Sequence, residues 1–327
     1  MINKEALLEA YRTYDYLNED AVRPLIKIFV SYIKPSFLFK SEILTPIHLG
    51  RAVETANSKD GVVSESDLQW LHQNCIGDDD VGGSLSSVNR RIGFFSGSYW
   101  AWKNYARLGD PEYFGSFGYR KLLAPSCLSR IPDCDAILPK AQYFKEPLRT
   151  QFRKSHGDIA YEMLMNVATS CFSDKEKYYF EKYLGQSSGY FHELYILRKE
   201  LFFEFCEWMY AKLMFLLRQY PVAATLLPSE VINPLVRNFL GDEVVRPLEI
   251  AIYNKKKSDV RDMAFLLERL TGFFLYSRIV IPHSRRYVEA DVLNYADEKR
   301  PLNVAIMAKL RATARGMVCH RHNERGG

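Results

Sequence analysis

Two segments decide how the chain is read: Tyr99-Trp100-Ala101-Trp102-Lys103-Asn104, and then Tyr113-Phe114-Gly115-Ser116-Phe117 running into Gly118-Tyr119-Arg120-Lys121. The first packs two tryptophans, a tyrosine, a lysine and an asparagine into six residues. A plain core helix needs apolar residues at helical spacing, not a lysine and an asparagine among the rings. The second is an aromatic run of strand character that ends directly in two cations. A sugar-nucleotide pocket calls for this mixture, because rings stack on a base or sugar while cations face a diphosphate. The residues alone also allow a buried aromatic helix followed by an ordinary strand with a basic end.

Outward from these segments, strands and helices alternate. Residues 3–18 read as an amphipathic helix with Leu7, Tyr11 and Tyr14 on one face, ended by Arg23-Pro24. Residues 26–32 read as a buried strand stopped by Lys34-Pro35, and a first strand leading to Ser31 and Lys34 is the usual opening of an α/β nucleotide-binding half. Residues 43–50 form a second extended piece. A polar stretch, 55–90, follows, in which Gly82-Gly83 predict a tight loop. Ser86 or Ser87 is expected to cap a helix over 88–107, broken by Gly109-Asp110-Pro111. That helix would place Asn89 near one end and Tyr99, Trp102 and Lys103 on one wall. A strand is predicted over 113–123, a short one at Ala136-Ile137-Leu138, helix over 156–184 and strand over 190–197. Long apolar helices are predicted over 199–219, carrying Phe202, Phe205, Trp208 and Met209, and over 261–278. The alternation argues for an α/β fold. The expected organisation is a helical extension (1–25), a main domain (26–280) and a basic helical tail (281–327).

Composition bounds the function. The chain of 327 residues is 47% hydrophobic and 14% aromatic, enough for a full core and a ring-lined groove. Its net charge of +5 is spread along the chain apart from Lys255-Lys256-Lys257 and the tail, a pattern that suits anionic substrates or a membrane surface better than nucleic acid. The six cysteines (75, 127, 134, 171, 206, 319) show no CxxC and no zinc-type histidine spacing, so reduced thiols are expected. The polar opening is not a signal peptide, and no apolar run reaches ~18 residues, so the expected compartment is the cytoplasm. Phosphate-binding loops, dinucleotide glycine fingerprints and nucleophile elbows are missing.

Four constellations carry chemistry. Arg120 and Lys121 end a strand where a leaving diphosphate needs positive charge. Two cations can supply it without a metal, so no metal cofactor is expected to be required. Asp78 with Asp80 and Asp133 with Asp135 have the spacing of hard-cation ligands but also of ordinary loops. Glu268 stands inside the apolar run from Met263 to Leu270. It reads either as a general base for a sugar hydroxyl or as a carboxylate paired with Arg269 or Arg261. His192-Glu193 could contact an acceptor sugar, though a histidine beside rings is commonly structural.

The order Gly82-x-x-Leu85-Ser86-x-x-Asn89, then Tyr99 to Asn104, then Gly118 to Lys121 resembles the capsular-polysaccharide glycosyltransferases once catalogued only as a domain of unknown function, which include galactofuranosyltransferases. The segments Asp135 to Pro139, Leu194 to Trp208 and Phe265 to Leu270 extend the resemblance over roughly residues 26–280. It implies a GT-A-like α/β fold with a mostly parallel sheet flanked by helices and a helical C-terminal part. It also implies inverting transfer of a sugar, such as galactofuranose, from a UDP donor to a growing capsule or O-antigen polysaccharide. On that resemblance Ser31, Gly82, Ser86 and Asn89 line the nucleotide, and Tyr99, Trp100, Trp102, Lys103 and Asn104 shape the sugar pocket. Tyr119, Arg120 and Lys121 hold the diphosphate, with Arg120 and Glu268 catalytic and His192 and Glu193 on the acceptor. The family usually has histidine at Gly118, arginine at Lys121, asparagine at Ser84 and at Glu193, and glutamate at Gly97. These departures motivate a second reading, a non-catalytic carbohydrate-binding or scaffold subunit. The helix 303–318, mixing Ile306, Met307 and Leu310 with Lys309, Arg311 and Arg315, is expected to reach the inner membrane face or to pack on the domain.

Overall fold

The run Ile26–Tyr32, apolar but for Lys27 and the hydroxyls of Ser31 and Tyr32, forms strand β1, nearly all of it buried. A strand this apolar must be covered on both faces, as in parallel sheets. In the computed structural model, which describes residues 3–19, 22–55, 63–220, 262–282 and 284–294, β1 lies inside a mixed sheet. Its neighbours are β2 (Leu44–His48) and β4 (Tyr113–Gly118), both parallel to it, with Tyr32 opposite His48 and Ser31 opposite Gly118. Beyond β2 lies the short β3 (Ile76–Gly77). Beyond β4 the antiparallel β9 (Tyr195–Arg198) is followed by β6 (Ala136–Pro139) and β10 (Tyr287–Ala290). Short strands β5 (Lys121–Leu123) and β11 (Val292–Asn294) pair at one side, and β7 (Gln142–Tyr143) with β8 (Ser188–Gly189) makes a separate ribbon. The architecture is α/β with a mostly parallel central sheet.

The chain runs from β1 outward through β2 and β3, then crosses back to lay β4 on the other flank of β1. Strand order therefore reverses between β1 and β4, and in open α/β sheets ligands bind outside the carboxyl ends of strands at such a switch.

Helices cover the sheet. The helix α1 (Lys4–Arg12) is capped by Asn3, and its Tyr11 hydroxyl donates to the Leu123 carbonyl, tying the N-terminal segment to β5. A helix α2 (Glu65–Asn74), capped by Ser64, occupies part of the polar stretch 55–90, for which periodicity predicts no element. Its apolar face is thin, only Leu71 being buried, so periodicity could not reveal it. The predicted helix over 88–107 is divided into α3 (Asn89–Ile92), α4 (Phe95–Lys103) and a final 3-10 turn. Gly93, at φ 59 and ψ −130, makes the break. Ser86 caps neither piece, because it lies in a preceding 3-10 turn with its hydroxyl turned inward.

The predicted helix over 156–184 starts earlier, as α5 (Leu148–Cys171), bends at Gly157, and continues as α6 (Asp174–Gly185) behind a Ser173–Glu176 capping box. The long helix α7 (Lys199–Gln219) matches its prediction, since apolar residues recur around most of its circumference. With α8 (Asp262–Leu275) it forms the core against the sheet, where Phe114 and Phe202 pack at 4.3 Å. Of the predicted strand over 190–197 only the end joins the sheet; Gly189 pairs with Gln142 instead, and His192 and Glu193 turn the chain between them. Among the described residues no helix is long and apolar enough to cross a membrane. The helix expected over 303–318 lies outside the described residues.

Candidate active site

Sheet geometry first decides what sits at the carboxyl edge. Ser31 and Gly118 are register partners there, and the Tyr119 N–H donates to the Ser31 carbonyl at 3.1 Å. The rings of Tyr32 and Tyr119, both buried, stack at 5.5 Å where the two strands end. Beyond these rings, the turn into β5 presents the exposed Arg120, its guanidinium 5.1 Å from the Tyr119 ring, and then Lys121.

Lys121 does not point away alone. Its ammonium donates to His192 Nδ1 at 3.0 Å, and the other ring nitrogen meets the Gln142 side-chain amide at 2.7 Å. The His192 backbone N–H donates to Glu268 Oε1 at 2.6 Å, and that oxygen is 3.6 Å from Nδ1. His192 (φ 76) and Glu193 (φ 52) are both left-handed, a conformation that L side chains resist and that surrounding contacts must impose. The carboxylate of α8 is one such contact. Thus β5, the 190–194 turn and α8 converge on one charged cluster.

The two carboxyls of the cluster are pushed in opposite directions. Burial would raise Glu268, but hydrogen bonds from the His192 ring and backbone N–H, with the charges of His192 and Arg269, hold it below the usual carboxylate range. Glu193 has burial and the neighbouring Glu268 charge acting together, and both push it well above that range. Burial lowers Lys121, an effect that the Glu268 charge partly offsets. Two carboxyls of split acidity beside two cations can hold an anion and exchange a proton within one site.

The aromatic helix is divided between two environments. Trp100 is 4% exposed, and its indole N–H donates to the Asp80 carbonyl at 2.7 Å. Asn104 is buried, donates to the Trp100 carbonyl at 3.0 Å and packs against Gly82, which has a left-handed φ of 78 and where a Cβ would meet Asn104 Oδ1 at 2.5 Å. These residues work inside the fold. Tyr99, Trp102 and Lys103 instead line a groove of 570 Å³ against α7, where Trp102 stacks on Tyr210 at 5.7 Å and the Lys103 ammonium lies 3.4 Å from the Trp102 ring. Burial pushes the Tyr210 hydroxyl well up, and the neighbouring Cys206 and Tyr195 add to it.

Ser86 and Asn89 belong to a buried knot that sequence reading missed. Asp78 is 0% exposed and accepts from the Gly50 and Arg51 amides (2.8 and 3.2 Å) and from Ser86 and Ser96 (2.5 and 2.6 Å). Asn89 donates to Ser96 at 2.7 Å and to the Gly93 carbonyl. The Asp78–Asp80 spacing is thereby accounted for. Asp78 is filled by donors, while Asp80 pairs with Arg51 and accepts from the Gly77 amide. In the other pair, Asp135 sits at the amino end of β6, opposite the crevice edge, and engages Arg198 and the Arg286 amide. An aspartate just after a short strand, among glycines and serines, was the one sequence signal for the Asp78 knot.

The profile of a family described as a domain of unknown function, DUF4422, matches residues 27–223, more than half of the chain. No curated protein matches the chain. Among solved structures, the bifunctional glycosyltransferase WbbM in its apo form is similar, with a TM-score of 0.58 and 17% sequence identity. The match covers 85% of this chain and 47% of WbbM, so this chain spans about half the length of that protein. At that identity the likeness is one of fold.

Proposed function

This chain belongs to the DUF4422 family, and from that premise we propose that it is a glycosyltransferase whose reaction takes place at the β1–β4 crevice. One observation carries the reading: Arg120, Lys121, His192, Glu193 and Glu268 gather at the carboxyl edge of the sheet, at its topological switch. The fold shared with WbbM supports it.

In this reading a UDP-sugar lies across Ser31 and Tyr119 with its diphosphate against Arg120 and Lys121. The guanidinium and ammonium stabilise the departing UDP, taking the place that a bound divalent ion fills in other transferases. The acceptor hydroxyl comes from the side of His192. Direct displacement, with inversion, needs a base, and the pair Glu193–Glu268 supplies it. Glu268 is the half locked by the His192 amide and is a weak proton acceptor. Glu193, pushed up by burial and by Glu268, accepts the proton once ionised. Galactofuranose as the donor sugar, a capsule or O-antigen acceptor and contact with the inner membrane face rest on the family resemblance and belong to this proposal.

The test is release of UDP from a panel of UDP-sugars by the full chain, with calorimetric titration of UDP alongside. Arg120→Ala and Lys121→Ala should each lower kcat about 10²–10³-fold. Lys175→Ala, at an exposed position of α6, should leave it unchanged. Failure to bind UDP would favour a carbohydrate-binding scaffold, and equal turnover in all three variants would remove the diphosphate assignment.

A further inference from the structure

One strand further along the same sheet edge, β2 ends in His48, which is 2% exposed. Its Nδ1 has no hydrogen-bond partner among the described residues and lies 3.5 Å from Glu54 Oε2. From α2, His72 Nε2 reaches the same carboxylate at 2.9 and 3.0 Å. The three ligand atoms lie within 4.8 Å of one another. We propose that His48, Glu54 and His72 bind a divalent transition-metal ion of the zinc class.

The distances fit coordination. With zinc bonds to nitrogen and oxygen of about 2.0–2.1 Å, neighbouring ligand atoms of a tetrahedral site stand roughly 3.3 Å apart. The two edges that meet at Glu54, 2.9 and 3.5 Å, bracket that value. A histidine pair with one carboxylate also leaves a fourth position for water. The orphaned nitrogen adds an independent argument, because a buried polar atom without a partner is costly and an ion would satisfy it. Arg51 does not compete for Glu54, because its guanidinium is engaged by Asp79 at 2.6 Å and by Asp80. The ligands come from the end of β2, the turn after it and α2, so an ion would fasten α2 to the sheet. This site is distinct from the Arg120–Lys121 crevice, and the transfer reaction does not pass through it.

The test uses the full chain stripped with a chelator and then titrated with Co²⁺ in visible absorption, and with Zn²⁺ by competition against a chromophoric chelator. The wild-type chain should take up one equivalent, and Zn²⁺ should raise its Tm. His72→Ala and Glu54→Gln change side chains that are 47% and 15% exposed, and should melt like the wild type in chelator. Each should weaken binding by at least about tenfold and abolish the zinc-dependent rise in Tm. Absence of Co²⁺ and Zn²⁺ uptake by the wild type would overturn the proposal. Uptake that survives both substitutions would also overturn it, by placing the ion elsewhere in the chain.

Discussion

Replacing Glu268 by alanine tests how the site is held together. The carboxylate accepts the His192 amide at 2.6 Å, and that amide begins a turn in which two successive side-chain-bearing residues are left-handed. A hydrogen bond to a charged acceptor contributes about 1.5–3 kcal/mol. Glu268 is 25% exposed, so the lower half of that range, about 1.5–2 kcal/mol, is expected. Each left-handed residue costs roughly 1–2 kcal/mol and persists only while its contacts over-determine it, so without the carboxylate the turn should relax. The loss should appear as a Tm about 3–8 °C lower by scanning calorimetry. Turnover should fall more sharply, about 10²-fold in kcat, because Glu193 is displaced with the turn. Glu268→Gln keeps an acceptor oxygen for the amide and should retain most of both quantities. Wild-type melting and turnover in Glu268→Ala would show that Glu268 does not hold the turn. A Glu268→Gln variant that melts normally but is as inactive as the alanine variant would place the base on Glu268 itself.

Two further substitutions probe the surrounding chemistry. Glu193 has a raised carboxyl in the folded protein, so its ionisation costs stability that grows as pH rises from the unfolded carboxylate range through the folded value. Glu193→Gln should therefore melt higher than wild type at alkaline pH and lose that advantage in acid, while its transfer activity disappears; a pH-independent difference in urea melts would refute this. Asp78→Asn turns one accepting oxygen into a donor that faces amides and hydroxyls. The two serines can rotate to accept but the Gly50 amide cannot, so about 2–4 kcal/mol should be lost in urea unfolding. Unchanged stability would remove Asp78 from its role as the centre of the knot.

Much of the scaffold was legible before any coordinates. Ile26–Tyr32 and Lys199–Gln219 announce themselves because a mostly apolar strand-length run and a helix-length recurrence of apolar residues have few ways to bury their surface. The alternation of such segments selects the α/β class, and the motif order from Gly82 to Lys121 points to the family. What patterning could not separate was the work of individual residues inside a motif. Trp100 and Trp102 are two positions apart, yet one is sealed against the Asp80 carbonyl and the other opens onto α7, because residues two apart on a helix point about 200° apart around its axis. Ser86 and Asn89 look like ligand-binding residues in sequence, but serve an aspartate brought to them by the β2–β3 pairing. The cluster of Lys121, Gln142, His192 and Glu268 joins residues far apart in the chain, and that of His48, Glu54 and His72 draws on a strand end, a turn and a helix. Sequence fixes which side chains are available, and local periodicity fixes the elements that carry them. Only the crossing of the chain back over β1 decides which of those side chains meet, since proximity across a sheet edge depends on strand order, and strand order leaves no local mark.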